Sequence, residues 1–107
     1  MPNTFFITTP IYYVNDVPHI GHAYTSIACD FIARYKRMSG VETIFLTGTD
    51  EHGQKIQKAA EKNNISPLDL CNKNSKKFND LTKILNLSND DFIRTTEERH
   101  KVGAKTL

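Results

Sequence analysis

The sequence lacks the features that mark membrane-spanning, secreted and zinc-finger proteins. None of its apolar runs approaches the roughly 20 residues that a transmembrane helix needs. Residues 1–4 show no basic stretch followed by an apolar one, so no secretory signal is visible. The two cysteines, Cys29 and Cys71, form no CxxC pair. Each lies in an apolar helical pattern, so we expect small buried side chains in a reducing cytoplasm, with no membrane partner.

Charge of one sign, repeats and linkers are also scarce. The formal net charge of +2 is only mildly basic and does not by itself indicate a nucleic-acid binder. No internal repeat, low-complexity tract or obvious linker interrupts the chain. With 107 residues, 38% of them hydrophobic and 24% charged, the sequence is typical of one small globular domain or a piece of a larger one.

The first half of the chain predicts a strand, a loop, a helix and a second strand. Residues 4–9 are rich in β-formers and stop at a proline, so they predict a buried strand, and residues 10–18 predict a loop. Apolar residues then recur at helical spacing, with charged residues on the other face and Gly40 as a C-terminal cap. The second strand is expected at residues 43–47, closed by Gly48. The apolar positions of the helix are Ile20, Ala23, Tyr24, Ile27, Ala28, Phe31, Ile32, Tyr35 and Met38, and the charged ones are Asp30, Arg34 and Arg37.

The second half continues the alternation. Residues 51–63 predict a helix, and Ser66 followed by Pro67 predicts the start of another. Residues 92–95 predict a third strand, and a last helix begins near Thr96 with no stop signal before the final residue. Alternating strands and helices predict an α/β fold with a parallel sheet, and the missing stop signal suggests that the natural protein continues. The apolar stripe expected on the Ser66 helix is Leu68, Cys71, Phe78, Leu81 and Leu85.

Two histidines three residues apart follow the first strand and loop. His19 and His22 are expected on one face at a helix start, where backbone N–H groups and the helix dipole attract phosphate. Gly21 between them would let a flat ring approach the backbone. A metal site or two ordinary surface histidines are the alternatives, but this context favours a nucleotide whose phosphates lie over the helix start.

The segment TGTDEHG at residues 47–53 follows the second strand. Ligands of parallel sheets bind at the carboxyl ends of the strands, and its glycines, Gly48 and Gly53, allow a tight turn there. Asp50 would be unfavourable beside phosphates, so the ammonium group of an amino acid is its natural partner. Alternatively, Asp50 is the N-cap of the next helix. A metal site is disfavoured, because three consecutive side chains cannot all point one way.

These motifs resemble those of the methionyl-tRNA synthetase family of class I. HIGH at residues 19–22 matches the class signature, and similar motifs occur in adenylyl- and cytidylyltransferases. The flanking letters resemble bacterial-type methionyl enzymes across nearly the whole chain: TTPIYYVN at residues 8–15, AYT at 23–25, RY at 34–35, FLTGTDEHG at 45–53 and DDFIRTTEERH at 90–100.

The resemblance implies that residues 1–107 form the first, HIGH-motif half of a Rossmann-type parallel-sheet catalytic domain. It implies ATP-dependent activation of methionine to methionyl-adenylate and transfer to tRNA(Met), with Mg²⁺ accompanying ATP. The KMSKS half, a zinc-binding insertion and the anticodon-binding domain are absent from this chain, which alone is expected to be inactive and to hold no metal site. The implied roles are catalysis by His19 and His22, ATP binding by Asn15, His19, Gly21 and His22, and methionine binding by Ile11, Tyr13 and Asp50.

Two alternatives remain open at this point. A small nucleotidyltransferase could carry its own HxGH motif, although TGTDEHG and the tyrosines of residues 10–18 argue against it. A non-catalytic binding module or a merely folded fragment is the other. A longer reading frame containing KMSKS would distinguish all three.

Overall fold

The structure is a computed structural model that describes residues 3–107, so Met1 and Pro2, at the start of the segment tested above for a signal, lie outside the described residues. Strands and helices alternate as expected. None of the helices in the described part of the chain combines the length and the apolar character that crossing a membrane requires. The elements are β1 (Thr4–Thr8), β2 (Tyr12–Tyr13), α1 (Ile20–Met38), β3 (Glu42–Asp50), α2 (Gln54–Lys62), α3 (Pro67–Ile84), β4 (Asp91–Arg94) and α4 (Glu98–Thr106).

A parallel sheet is built around the long strand β3. β1 and β2 pair with one edge of β3 and β4 pairs with the other, all in parallel. Thr8 pairs with Leu46 and Tyr12 pairs with Thr49. The chain therefore advances four residues from β1 to β2 while β3 advances three. One extra residue therefore bulges between β1 and β2. The prediction of an uninterrupted loop at residues 10–18 was wrong here, because the chain rejoins the sheet after the bulge.

Helices α1 and α3 pack on the same face of the sheet. Lys36 of α1 places its Nζ 5.0 Å from the ring centre of Phe5, and Ser75 of α3 lies 3.2 Å from the hydroxyl of Thr49. The order β1, β3, β4 runs in one direction across the sheet, so right-handed crossovers place the connecting helices on one face. On the opposite face Phe6 and Ile44 are 60% and 53% exposed. The core therefore lies on the helix side, and its main cluster is Val14, Ile56, Ala60, Leu70, Cys71 and Phe78.

The apolar stripe of α1 does not face the sheet. Ser26, Asp30 and Ala33 are the buried positions of this helix, whereas Phe31 is 72% exposed. The expected orientation was wrong, because polar side chains hold α1 in place. Asp30 accepts hydrogen bonds from the backbone N–H and the hydroxyl of Ser88 at 2.8 and 2.5 Å. Arg37 donates to Ser88 at 2.7 Å and pairs with Asp90 at 2.9 Å.

The ends of the helices follow the sequence closely. Gly40 has a φ of 81° and donates to the carbonyl of Arg37, while Val41 donates to that of Lys36, which together form a Schellman cap. Ser66 accepts from the backbone N–H of Asp69 at 3.1 Å, as an N-cap should. Both helix ends are thus confirmed.

Individual side chains on the helices depart from the expected pattern. On α3, Leu70 is buried at 4% exposure while Leu68 is 57% exposed, so the stripe was wrong at that position. Cys71 is buried as expected, but Cys29 is only half-buried. Burial beside the Glu51 carboxylate raises the pKa of the Cys71 thiol to about 11, so this side chain is an uncharged part of the core.

Gly48 lies inside β3 and does not close it. The strand runs on to Asp50, three residues beyond its expected end. A Cβ at Gly48 would lie 2.0 Å from the carbonyl oxygen of Ile93 on β4. The glycine is therefore required for close approach of two strands, not for a turn. Gly53, with a φ of 114°, does serve the turn into α2.

Candidate functional site

A cleft of about 370 Å³ lies where β2 ends and α1 begins. It brings together the histidine pair and three other predicted site residues: Ile11, Tyr13, Asn15, His19 and His22, along with Tyr12, Asp16 and Val17. Ile11 and Tyr13 are 41% and 48% exposed, so their side chains are open to a ligand. Beside Asn15, the buried Val14 accepts a hydrogen bond of 2.7 Å from Asn74 through its carbonyl, which anchors this wall of the cleft to α3. Gly21 and Asp50 are not among the residues that line the cleft.

The two histidines cap the start of α1. His19 is the N-cap residue, and its Nδ1 accepts from the backbone N–H of Gly21 at 3.0 Å. In return, the backbone N–H of His19 donates to Nδ1 of His22 at 3.0 Å. This reciprocal pattern is that of a capping box, with imidazoles in place of the usual hydroxyl and carboxylate. The Gly21 N–H therefore already donates a hydrogen bond within the protein. The helix start has one backbone donor fewer for a phosphate than the sequence predicted.

The cap fixes which ring nitrogen of each histidine carries the proton. A nitrogen that accepts a hydrogen bond bears no proton, so in neutral His19 and His22 the proton is on Nε2. The rings stack with centres 3.8 Å apart and an interplanar angle of 28°. The Nε2–H donor of each stacked imidazole is therefore not used by the cap, and such donors suit the oxygens of a phosphate chain.

Gly21 is required by the cap itself. A Cβ at this position would lie 2.8 Å from Cε1 and 3.0 Å from Nδ1 of the His19 ring. The flat ring that approaches this backbone is thus that of His19. A side chain at Gly21 would displace the ring and open the hydrogen bond between the two residues.

An aromatic cluster holds His22 from the side of the core. Tyr12 and Phe78 contact its ring edge-on, with centres at 4.8 and 4.9 Å. Tyr12 is itself held by a 3.0 Å hydrogen bond to Ser26. Burial, and to a smaller degree the neighbouring His19, lowers the pKa of His22 below its usual range. The lowered pKa favours the neutral ring, which is the form that can accept the hydrogen bond of the cap. This contact between Phe78 and His22 could not be predicted from the sequence, since nothing in the helical spacing of Phe78 separates it from ordinary core residues.

Asp50 ends β3 directly beside Tyr13 of β2, with which it is in register. Paired residues of neighbouring strands point to the same face, so Asp50 and Tyr13 are neighbours on the face opposite the main helix layer. Lys55 of α2 places its Nζ 5.5 Å from the centre of the Tyr13 ring. Asp50 accepts a 3.1 Å hydrogen bond from the backbone N–H of His52. The N-cap of α2 is Gly53, so the alternative that Asp50 caps this helix is excluded.

A buried ion pair stands next to Asp50 and was also missed. The side chain of Glu51 is 0% exposed and accepts from Nε and Nη2 of Arg94, each at 2.7 Å. The sequence does contain a signal that could have predicted this pair, namely an acid and a base at the carboxyl ends of two strands that were expected to be parallel neighbours. Within residues 3–107 no group of three or more His, Cys, Asp or Glu side chains is arranged to hold a metal ion.

Comparison with known proteins identifies the family. Residues 5–107 match the family described as tRNA synthetases class I (M). The methionine–tRNA ligase of Rickettsia bellii is 65% identical over 101 residues, which are 94% of this chain and 20% of that protein. The enzyme of Bacillus subtilis is 59% identical over 100 residues, or 94% of this chain and 15% of that protein.

A solved structure agrees with the sequence relatives. The crystal structure of Mycobacterium tuberculosis methionyl-tRNA synthetase bound by methionyl-adenylate superposes with a TM-score of 0.92 at 45% identity, covering 96% of this chain and 20% of that one. The Rossmann-type, parallel-sheet prediction is thereby confirmed. The chain spans about one fifth of the length of the Rickettsia relative. Because the family match extends over nearly all of its residues, this chain belongs to the class I (M) tRNA synthetase family.

Proposed function

We propose that the protein carrying this chain is a methionine–tRNA ligase, which activates methionine with ATP and transfers it to tRNA(Met). The observation that carries the proposal is a cleft lined by His19, His22 and Tyr13, in which Tyr13 is in register with the Asp50 carboxylate at the end of β3. The chain is 45% identical to a synthetase bound by methionyl-adenylate, which contains both a phosphate and an amino group. Residues 1–107 are, on this proposal, the HIGH-motif half of the catalytic domain.

The ATP side of the site is assigned to the start of α1. His19 and His22 donate through Nε2–H to phosphate oxygens, and their effect is greatest where negative charge develops in the transition state. Asn15, which lines the same cleft, is assigned to the nucleotide as well, and Gly21 serves the ATP side by leaving room for the His19 ring. Mg²⁺ accompanies ATP as part of the substrate complex.

The methionine side is assigned to the face of the sheet opposite the main helix layer. The Asp50 carboxylate accepts the ammonium group in a charge-assisted hydrogen bond. Ile11 and Tyr13 contact the thioether side chain, which is soft and apolar and packs well on aliphatic and aromatic surfaces. The exposure of both side chains, 41% and 48%, is consistent with a ligand covering them.

The chemistry needs positioning and charge stabilisation but no general base. A carboxylate oxygen of methionine, already ionised at neutral pH, attacks the α-phosphorus of ATP. The bond from that phosphorus to the oxygen bridging to the β-phosphate breaks, and pyrophosphate leaves. A hydroxyl at the 3′ end of tRNA then takes the methionyl group and AMP departs. These steps belong to the complete cytoplasmic enzyme, in which the KMSKS half supplies the other wall of the crevice.

The test is amino-acid-dependent ATP–pyrophosphate exchange by the full-length protein that contains this segment. We expect exchange with methionine and at least about 100-fold less with leucine or valine, whose side chains lack the thioether. Exchange that is independent of amino acid, or nucleotide transfer to a phosphorylated alcohol, would contradict the proposal and favour a nucleotidyltransferase.

A further inference from the structure

The Glu51–Arg94 ion pair joins the carboxyl ends of two neighbouring strands. Glu51 follows the last residue of β3, and Arg94 is the last residue of β4. The Glu51 side chain is 0% exposed and that of Arg94 is 29% exposed. Both N···O distances are 2.7 Å, so the pair is bidentate. Two parallel hydrogen bonds fix the orientation of the carboxylate relative to the guanidinium as well as their separation.

The surrounding groups complete the hydrogen bonding of both partners, and Nη2 of Arg94 also donates to Oδ1 of Asn72 at 2.6 Å. The Glu51 carboxylate also accepts from the hydroxyls of Thr49 at 2.9 Å and Thr96 at 3.2 Å. Its backbone N–H donates to the hydroxyl of Thr95 at 2.8 Å. Main chain and side chain of Glu51 are thus both held, which leaves this residue little rotational freedom.

This arrangement fixes the direction of the preceding side chain. Side chains alternate along a strand, so Thr49 and Glu51 on the helix side place Asp50 on the opposite face beside Tyr13. A twist of the strand end that released Glu51 would turn the Asp50 carboxylate away from that face. The Asp50 side chain itself has a weaker hold, a 3.1 Å bond from the backbone N–H of His52.

Stability alone does not account for the pair. Burying two charges costs desolvation free energy that their attraction often only balances, so a packed apolar pair would serve stability as well. An apolar pair could not fix the orientation of the strand end in two directions. We infer that Glu51 and Arg94 are positioning residues that hold the Asp50 carboxylate toward the ammonium group of methionine, an inference that rests on the proposed function.

The test is the kinetics of ATP–pyrophosphate exchange by the full-length protein with Glu51→Gln or Arg94→Lys. Glutamine presents an N–H to the guanidinium, and lysine cannot donate along two parallel directions, so each variant loses the bidentate contact. We expect the KM for methionine to rise about 10-fold or more, since small displacements of a positioned group are costly, and the KM for ATP to stay within about 2-fold. Assays are run well below the melting temperature of each variant.

Asp91→Asn is the matched control, because Asp91, at the other end of strand β4 from Arg94, forms an exposed ion pair with Arg99 of α4. It should leave both KM values unchanged. If Glu51→Gln and Arg94→Lys lower the melting temperature but keep the wild-type KM for methionine, the pair is merely structural and the inference is wrong. Equal loss for both substrates would also overturn it. A failure of the proposed function is separately visible, since the wild-type protein would then show no methionine-dependent exchange and both proposals would fall.

Discussion

At the scale of single residues, the site depends on which imidazole nitrogens already form hydrogen bonds within the protein and which remain available to a ligand. The sequence predicted that His19 and His22 share a face at a helix start, and the structure places them there. It could not predict that they cap the helix reciprocally, because imidazole is not a usual N-cap group and the pattern depends on ring rotation. The same cap explains Gly21, whose Cβ would collide with His19.

Burial of His22 beside His19 makes stability depend on pH. Its folded-state pKa is lowered, so as the pH falls below about 6.5 the unfolded chain binds the proton first. The stability contributed by neutral His22 is therefore complete above that pH and is lost as the pH falls toward the folded-state pKa. Urea unfolding at pH 7.5 and 5.5 measures the loss. In His22→Gln the amide oxygen can accept the same bond without titrating, so the loss should shrink. An unchanged pH dependence in this variant would show that other groups cause it.

At the scale of helices and strands, the order of the elements was predictable and the orientation of α1 was not. Propensity and capping signals located every helix to within a few residues, since Gly40 and Ser66 act through local geometry. The buried face of α1 depends instead on contacts from Asp30 and Arg37 to a loop more than 50 residues later in the chain. The two-residue β2 was likewise unpredictable, because a bulge leaves no mark on hydrophobic alternation.

Asp30 should contribute far more stability than an acid in a similar but exposed pair. Burial alone would raise the pKa of Asp30, but hydrogen bonds from Ser88 and Arg34 outweigh it and hold this pKa below its ordinary value. Asp30→Ala leaves the part-buried Ser88 N–H without its acceptor, so we expect a loss of about 1–3 kcal/mol in unfolding free energy. Asp80→Ala, which removes the exposed i,i+4 pair with Lys76, should cost at most about 0.5 kcal/mol. Equal losses would contradict the role of Asp30 as the anchor of α1.

The two strands β3 and β4 approach closely only because residue 48 is glycine. In Gly48→Ala the new methyl would meet the Ile93 backbone, which cannot move without breaking the sheet, so we expect a loss of at least about 1–3 kcal/mol. Gly103→Ala is the control, since nothing lies within 4 Å of its Cβ position in α4. That change should stabilise by about 0.5–1 kcal/mol through helix propensity. Chemical denaturation compares the two, and a harmless Gly48→Ala would refute the close-approach account.

At the scale of the whole molecule, the chain is thin for its length. Its radius of gyration is 15.2 Å, against about 13 Å for a compact domain of this size, and its smallest extent is 16 Å. One sheet face and the apolar side of α1 are open to solvent. A groove of about 410 Å³ on α1 is lined by Tyr24, Ile27, Ala28, Phe31 and Ile32.

The 107-residue chain should self-associate through this groove when it is produced alone, because apolar surface of this kind is seldom left exposed. Sedimentation velocity at rising concentration should show species larger than a monomer. Phe31→Lys should shift the distribution toward monomer, whereas Ile84→Lys, at an equally exposed apolar position on α3, should not. A wild-type chain that stays monomeric throughout the concentration series would contradict the prediction. The same chain should give no methionine-dependent exchange, since on the proposed function it forms only one wall of the crevice.

The most direct test of the proposed site compares His22→Ala with Asp50→Ala in the full-length protein. ATP–pyrophosphate exchange is measured over a range of methionine and ATP concentrations. Losing the His22 donor should lower kcat by roughly 100-fold or more, because it acts on charge that develops in the transition state. Losing the Asp50 carboxylate should raise the KM for methionine while the KM for ATP stays near the wild-type value. Wild-type kinetics in both variants, or a loss in Asp50→Ala that falls equally on both substrates, would contradict the division of this chain into a phosphate side and a methionine side.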